Sequence, residues 1–266
     1  MKNLSKQQSP RTRQTILEDL RSLGVKKGTS LLVHSSLSSI GWVNGGAVAV
    51  NLALMDAVSN EGTIIMPSQS DDMSDPAEWT NPPVPEEWIE EIERTLPAYH
   101  PDYTPALRMG RIVEAFRTFP DVKRSAHPLL SFAGWGRNSR TVIKDHFFHT
   151  GLGKLSPLQK LYDLDAHVLF LGTSYESCTC FHLAEYRIPK QTVTTRGAPV
   201  LHHGRRVWVK TNDIEFRDDL FGKIGVEFEQ KHEVAEGQVG SASAKLFSLK
   251  EAVDYAELWL KDYDDE

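Results

Sequence analysis

The segment between residues 30 and 66 constrains the fold of this chain more than any other. Ser30 to His34 is an apolar run that reads as a strand. A turn rich in serine and glycine follows, then an apolar helix pattern from about Ala47 to Val58, then a second apolar run from Thr63 to Met66 that Pro67 stops. Two strands separated by a helix pair in parallel through a crossover, which lays the helix on one face of the sheet. A third run, Val168-Leu169-Phe170-Leu171 before Gly172, is apolar at every position. That is the pattern of a strand covered on both faces. The chain therefore reads as α/β.

Other elements follow from local signals. Ser9-Pro10 caps a helix pattern carrying Ile16, Leu17, Leu20 and Leu23 and ending at Gly24. Met109 to Phe119 has helical spacing of Met109, Ile112, Val113 and Phe116, and Ser131 to Trp135 is a short strand. Ser156-Pro157 opens a helix with proline at its first position. Ala198–Leu201 and Arg205–Val209 flank His202-His203-Gly204 as a β-hairpin, and Val234–Val239 with Ala244–Phe247 reads as another. Helices are expected from about Asp218 to Glu229 and from Glu251 to Lys261. Between Ser68 and Arg108 the chain is rich in proline, acids and tryptophan, with one short helix from Glu86 to Thr95. Such a segment inside a compact domain is usually a functional loop or lid. No linker or repeat divides the chain, so residues 1–266 are read as one α/β domain with an appended hairpin region.

Charge and cysteine usage narrow the function. A net charge of −6 argues against a general nucleic-acid binder and suits a cationic ligand. Cys178 and Cys180 are the only cysteines. A disulfide framework is not expected, and Cys-x-Cys-x-His lacks the second half of a zinc site, so no metal is expected. No apolar run is long enough to span a membrane. Met1 to Gln14 is polar, without a signal-peptide core. The expected location is cytoplasmic, as a monomer or homodimer with no membrane or nucleic-acid partner.

Three groups of residues bear on chemistry, besides one pair. The pair is His182 and Glu185, which share a face if Thr179–Glu185 is helical. An imidazole titrating near neutrality, steadied by a carboxylate, is a general base; the same spacing also describes a surface His–Glu pair. His34-Ser35-Ser36-Leu37-Ser38-Ser39 sits at the carboxyl end of the first strand, where α/β sheets bind ligands; it also suits a helix cap and polar turn. Arg111, Arg117, Lys123 and Arg124, before Ser125 and His127, form a basic cluster suited to phosphate or to a solvated helix face. Asp71, Asp72, Asp75, Glu78, Glu86 and Glu87 crowd near Trp79 and Trp88, with Glu227 and Glu229 elsewhere. These suit an amine-rich ligand or a plain acidic surface.

Ordered blocks then make the chain resemble a known family. His34-Ser35-Ser36-Leu37-Ser38 with Gly45-Gly46, Gly62-Thr63-Ile64-Ile65-Met66-Pro67, Trp79 with Pro82-Pro83-Val84-Pro85, Thr104-Pro105, Glu114-Ala115-Phe116-Arg117, Arg124-Ser125-Ala126-His127-Pro128, Gly153 with Ser156-Pro157-Leu158, and Thr179 with His182-Leu183-Ala184-Glu185 recur in order. They are similar to blocks of the aminoglycoside N3-acetyltransferases, most of all the chromosomal Bacillus-type members. The resemblance implies a three-layer α/β/α sandwich with a central, mostly parallel sheet, unrelated to the GNAT fold. It implies acetyl-CoA as donor, an amine of a 2-deoxystreptamine antibiotic or a related polyamine-like acceptor, and no metal. Coenzyme A is expected at His34, Ser35, Ser36, Leu37 and Ser38, at Val113, Phe116 and Arg117, and at Ser125 and His127. His182 is the expected base and Glu185 its support. Asp71, Asp72, Glu227 and Glu229 are expected to face the acceptor.

On that reading the amine attacks the thioester directly in a ternary complex. Thr179 or the backbone N–H groups of the Ser35–Ser36 turn are candidate donors to the oxyanion. Two rival readings remain at this point. One is a thioester hydrolase using Ser35, Ser36 or Ser38 with His182, although no Gly-x-Ser-x-Gly elbow is present. The other is a non-catalytic protein that binds coenzyme A or polycations.

Overall fold

A computed structural model describes residues 9–265. Of the polar stretch Met1 to Gln14, residues 1–8 lie outside the described residues. The elements run α1 (Arg13–Ser22), β1 (Ser30–Ser35), α2 (Leu37–Ile40), α3 (Gly46–Val58), β2 (Thr63–Pro67), α4 (Ile89–Thr95), α5 (Gly110–Phe116), β3 (Lys123–Arg124) and β4 (Phe132–Gly136). They continue as α6 (Ser139–Ile143), α7 (Pro157–Asp163), β5 (His167–Leu171), α8 (Phe181–Glu185), β6 (Val193–His202), β7 (Arg205–Ile214), α9 (Phe221–Glu229), β8 (Val234–Val239), β9 (Ala242–Ser248) and α10 (Leu249–Asp265).

The main sheet has seven strands in the order β3-β4-β2-β1-β5-β9-β8. At its centre β1 pairs in parallel with β2 and with β5, Leu32 lying opposite both Ile65 and Val168. The flanking pairs are antiparallel. Since only β4 and β9 reverse direction, five of the seven strands point the same way, as the mostly parallel expectation requires. Alternate residues of each strand feed two cores. Leu32, Ile65, Val168, Phe170 and Phe247 face one core with α7 to α10, and Leu31, Val33, Ile64, Met66, Leu169 and Leu171 face the other with α1, α3 and α5. The period of two puts successive side chains on opposite faces, so an unbroken apolar run fills both layers. This is the expected three-layer α/β/α sandwich.

Several local expectations shift. Helix α1 is capped by Thr12 rather than Ser9: Thr12 Oγ1 accepts the Thr15 N–H at 3.2 Å, and Thr15 Oγ1 accepts the Thr12 N–H at 3.0 Å. This reciprocal pair satisfies amides that a cap at Ser9 would not reach. Ser156 does cap α7, accepting the Leu158 N–H at 3.2 Å. Strands β6 and β7 form a two-stranded sheet of their own, β6 running past its expected bounds at both ends and β7 past its expected end at Val209. Their turn residues, His203 and Gly204, both have positive φ, 48° and 73°, which suits the twist of a two-residue hairpin. The second expected hairpin forms too, β8 pairing antiparallel with β9, and through the pairing of β9 with β5 it makes one edge of the main sheet. The Ser68–Arg108 segment is pinned in place. Ser70 Oγ donates to Pro105 O at 2.6 Å, the Tyr99 N–H to Pro199 O at 2.9 Å, and Arg206 Nε to Leu96 O at 2.8 Å.

Candidate active site

The parallel strands β1, β2 and β5 end together, and a cleft of about 300 Å³ opens beyond their carboxyl ends. Strand β1 contributes Val33, His34 and Ser35, the end of β2 adds Pro67 and Gln69, and Thr173 follows β5. Arg108, Met109 and Val113 close one side. Thr179, His182, Asp218 and Phe221 close the other. This is the crevice in which open α/β sheets hold ligands.

His182 and Glu185 lie on α8, whose five residues are all buried. His182 Nδ1 and Glu185 Oε2 are 2.7 Å apart. The His182 side chain is 11% exposed and that of Glu185 2%, so the pair does not lie on the surface. Glu185 Oε1 accepts the Arg217 N–H at 2.6 Å, so each carboxylate oxygen has its own donor. With Nδ1 donating to that carboxylate, Nε2 is the ring's remaining acceptor. Phe216 and Phe221 flank the ring at 4.2 and 4.8 Å between centroids. This arrangement fits a general base held in one tautomer.

His34 lines the same cleft. Burial pushes its pKa down to about 3, and the nearby charge of His182 adds to the effect. It is therefore neutral at physiological pH. Its Nε2 and the Ser35 hydroxyl are buried without a hydrogen-bond partner. Buried polar atoms are normally satisfied, so two orphans beside one cleft mark a place for a polar ligand. The Ser36 N–H donates to Leu171 O at 2.8 Å, so the sheet has taken this expected oxyanion donor. Ser36 Oγ lies 3.2 Å from Ser38 Oγ and accepts from Ser39 Oγ at 3.0 Å. Leu37 packs on the core of α1, α3 and α5. Thr179 Oγ1 is 3.5 Å from Ser177 O and lines the cleft.

The other expected coenzyme residues fall in two places. Val113 is at the cleft. Phe116, one helical turn on, is fully buried in the core. Arg117 is paired with Glu114 through Nε at 2.8 Å and donates from Nη1 to Asp102 O at 3.1 Å. Ser125 and His127 are buried among one another's neighbours: Ser125 Oγ is 3.0 Å from His146 Nδ1, and His127 Nδ1 accepts the N–H groups of Leu129 and Leu130. Arg124 is buried too, donating to Thr104 O at 2.5 Å, Ser70 Oγ at 2.7 Å, Ser131 Oγ at 2.9 Å, and Ser68 O. The basic cluster is therefore divided: Arg117 and Arg124 are committed to a carboxylate, carbonyls and hydroxyls, while Arg111 and Lys123 are exposed on the surface.

Asp71 and Asp72 face a second recess of about 370 Å³ with Glu78, Trp79, Pro82 and Val84. Arg108 lines both this recess and the cleft at the strand ends. Burial raises the Asp72 pKa, opposed by Arg124 and Arg108, and Asp72 Oδ1 has no partner. The structure does not bring Glu227 and Glu229 to either place. Glu229 is ion-paired with Lys245, and Glu227 lines a separate pocket with Lys231 and accepts from Tyr255. Helix α9 aims Phe221 at the cleft and carries these acids further along its axis. Arg108 was not anticipated from the sequence. Its φ of +64° is unusual for a residue with a long side chain, and no local sequence signal announces it. Among the described residues no cluster of three or more His, Cys, Asp or Glu gathers in a way that could hold a metal. Cys178 and Cys180 are free and buried, their sulfurs 3.5 Å apart.

Together the strand-end cleft, the buried His–carboxylate pair on its wall and the acidic, aromatic recess beside it suit acid–base chemistry on a cationic ligand. The family model described as aminoglycoside 3-N-acetyltransferase matches residues 32–261, and the chain belongs to that family. It is 57% identical over 256 residues to the SPbeta prophage-derived aminoglycoside N(3')-acetyltransferase-like protein YokD of Bacillus subtilis (strain 168), covering 96% of this chain and 94% of that protein. The crystal structure of YokD superposes with a TM-score of 0.97 over 98% of this chain and 97% of its own. AAC-VIa bound to sisomicin, 29% identical, gives 0.87 over 96% and 99%. AAC-IIIb in a binary complex with CoASH, 27% identical, gives 0.84 over 96% and 98%.

Proposed function

We propose that this protein transfers the acetyl group of acetyl-CoA to the 3-amino group of a 2-deoxystreptamine aminoglycoside, with His182 as general base. The observation that carries this reading is the buried His182–Glu185 hydrogen bond of 2.7 Å on the wall of the cleft. The CoASH and sisomicin complexes of structural neighbours support the two substrates.

The amine reaches the cleft as an ammonium ion. His182 Nε2 removes a proton as the nitrogen approaches the thioester carbon, and Glu185 stabilises the imidazolium. The C–N bond forms and the C–S bond breaks; of the two protons the ammonium nitrogen gives up on becoming an amide, one passes from His182 to the departing thiolate and the other is released to solvent. No covalent enzyme intermediate is needed, since holding both substrates together removes much of the entropic barrier. The Thr179 hydroxyl is the proposed donor to the thioester oxygen. Coenzyme A is assigned to His34, Ser35, Met109 and Val113 rather than to the buried Ser125 and His127. Asp71 and Asp72 are assigned to the cationic acceptor. With acetyl-CoA as donor, the reaction is proposed to run in the cytoplasm. Among the described residues no helix is long and apolar enough to cross a membrane.

The test is thiol release from acetyl-CoA against aminoglycosides, polyamines and peptide amines, with product regiochemistry by NMR. Acetylation of aminoglycosides at N3 is expected. Turnover confined to polyamines or peptides would reject the acceptor, and hydrolysis without acceptor would favour a serine nucleophile.

A further inference from the structure

One short segment grips both members of the catalytic pair. Residues 215–217 open the link, 215–220, between β7 and α9. Within them the Phe216 ring lies 4.2 Å from the His182 imidazole, and the Arg217 N–H donates to Glu185 Oε1 at 2.6 Å. With that oxygen held, the aim of Oε2 at His182 depends on where the Arg217 peptide sits. The Arg217 side chain anchors that peptide. Its Nη1 lies 2.8 Å from Asp264 Oδ1 and 3.0 Å from Oδ2, and its guanidinium stacks over Tyr263 at 5.4 Å. Both partners belong to α10. Asp264 does not line the catalytic cleft; with Arg217 and Glu185 it lines a recess of about 590 Å³ behind the pair.

We propose that Arg217 and Asp264 are positioning residues for the reaction: the Asp264–Arg217 ion pair on α10 sets the orientation of Glu185 and through it the aim of His182. This inference rests on the reading of His182 as the base. A carboxylate that orients a catalytic histidine must itself be oriented, and outer hydrogen bonds of this kind are what hold such groups. Small angular errors at a reacting nitrogen are costly in rate. The Arg217 and Asp264 side chains are 26% and 15% exposed, so circular dichroism checks the fold of each variant and the loss of kcat is read on folded protein.

Asp264→Asn is the test, assayed with acetyl-CoA and sisomicin. kcat should fall on the order of tenfold, with both KM values unchanged. Arg217→Lys, which keeps the ion pair and the amide, should retain more of kcat than Arg217→Met. In a His182→Ala background Asp264→Asn should cause no further loss, because it acts through the imidazole. Independently of turnover, the downfield proton of the His182–Glu185 hydrogen bond, assigned by its disappearance in His182→Ala, should shift or broaden in Asp264→Asn and persist in Arg217→Lys. Wild-type kcat and an unchanged resonance in Asp264→Asn overturn the proposal while leaving the base intact, as does a further loss in the His182→Ala background. Full activity of His182→Ala overturns the base assignment instead.

Discussion

An imidazole acts as a base through an unprotonated nitrogen, and a hydrogen bond on the other nitrogen fixes which one that is and where it points. The sequence places His182 and Glu185 three apart, and helical geometry does the rest. The hold on Nδ1 is visible in the 2.7 Å contact to Glu185. His182→Ala should lower kcat on the order of 100-fold or more while circular dichroism stays native; near-native turnover would remove His182 from the chemistry. Asp72 is the second residue with a distinct expectation. Burial raises its pKa, so it is protonated more readily than an ordinary aspartate, and an ammonium acceptor needs its charge. Asp72→Asn should raise the acceptor KM several-fold and leave coenzyme affinity alone, as read by initial rates and calorimetry. In the wild type the acceptor KM should climb as pH falls through that raised pKa. Equal effects on both substrates would take Asp72 out of the acceptor site. Glu227 and Glu229 show the limit of reading acids from sequence. An acidic residue announces charge, but only its neighbours decide whether that charge faces a ligand or the Lys245 ammonium.

At the scale of elements, helix α9 has to approach the segment after β5 closely enough to press Phe221 against His182, 4.8 Å between centroids. Gly225 permits it. A Cβ there would collide with the Tyr175 side chain, whose ring is packed against Phe181 and Phe228. Gly225→Ala should cost about 1–3 kcal/mol through overpacking, read as a lower midpoint in urea, and should lower kcat through Phe221. A stability equal to wild type would show that Tyr175 can yield. The helices and strands themselves were legible wherever the period was strong: β1, α3, β2 and β5 fall within a residue or two of their expected bounds. The two-residue β3 and the five-residue α6 were not. Elements that short are made by pairing and packing, here β3 on β4, rather than by propensity.

Across the whole molecule, buried polar side chains tie the layers together. Arg124 joins the end of β2, the Thr104 turn and β3 in one hydrogen-bonded knot. Arg124→Met would remove a charged donor from Thr104 O and from Ser68 O, which keeps only the Ser131 hydroxyl, and should destabilise by about 1–3 kcal/mol, measured by urea unfolding; an unchanged midpoint would show the knot to be dispensable. Buried histidines give the fold a pH dependence. Burial lowers the pKa of His34 to about 3 and of His146 to about 4, and lowers that of His127 well below its ordinary value. Below about pH 6.5 the unfolded chain binds protons on these rings that the folded chain refuses. Stability is therefore fully present above pH 6.5 and is lost as pH falls towards 4, by up to about 1.4 kcal/mol per pH unit for each ring. Urea midpoints at pH 7 and pH 5 check this, and His146→Gln should flatten the slope. A midpoint independent of pH in that range would contradict it.

Apolar periodicity and turn chemistry, both local, were enough to read the α/β class, the parallel centre of the sheet, the hairpin and the His182–Glu185 pair from the chain alone. The ordered motifs also indicated the family. The tertiary structure alone decided which polar residues share a cleft. It put Arg108 between two recesses, drew Ser125, His127 and Arg124 into the interior, sent Glu227 and Glu229 elsewhere, and set the Arg217 amide behind Glu185. The physical reason is that a side chain's partners lie up to hundreds of residues away along the chain, where no local pattern reaches, while the period of an element is written in its own few residues.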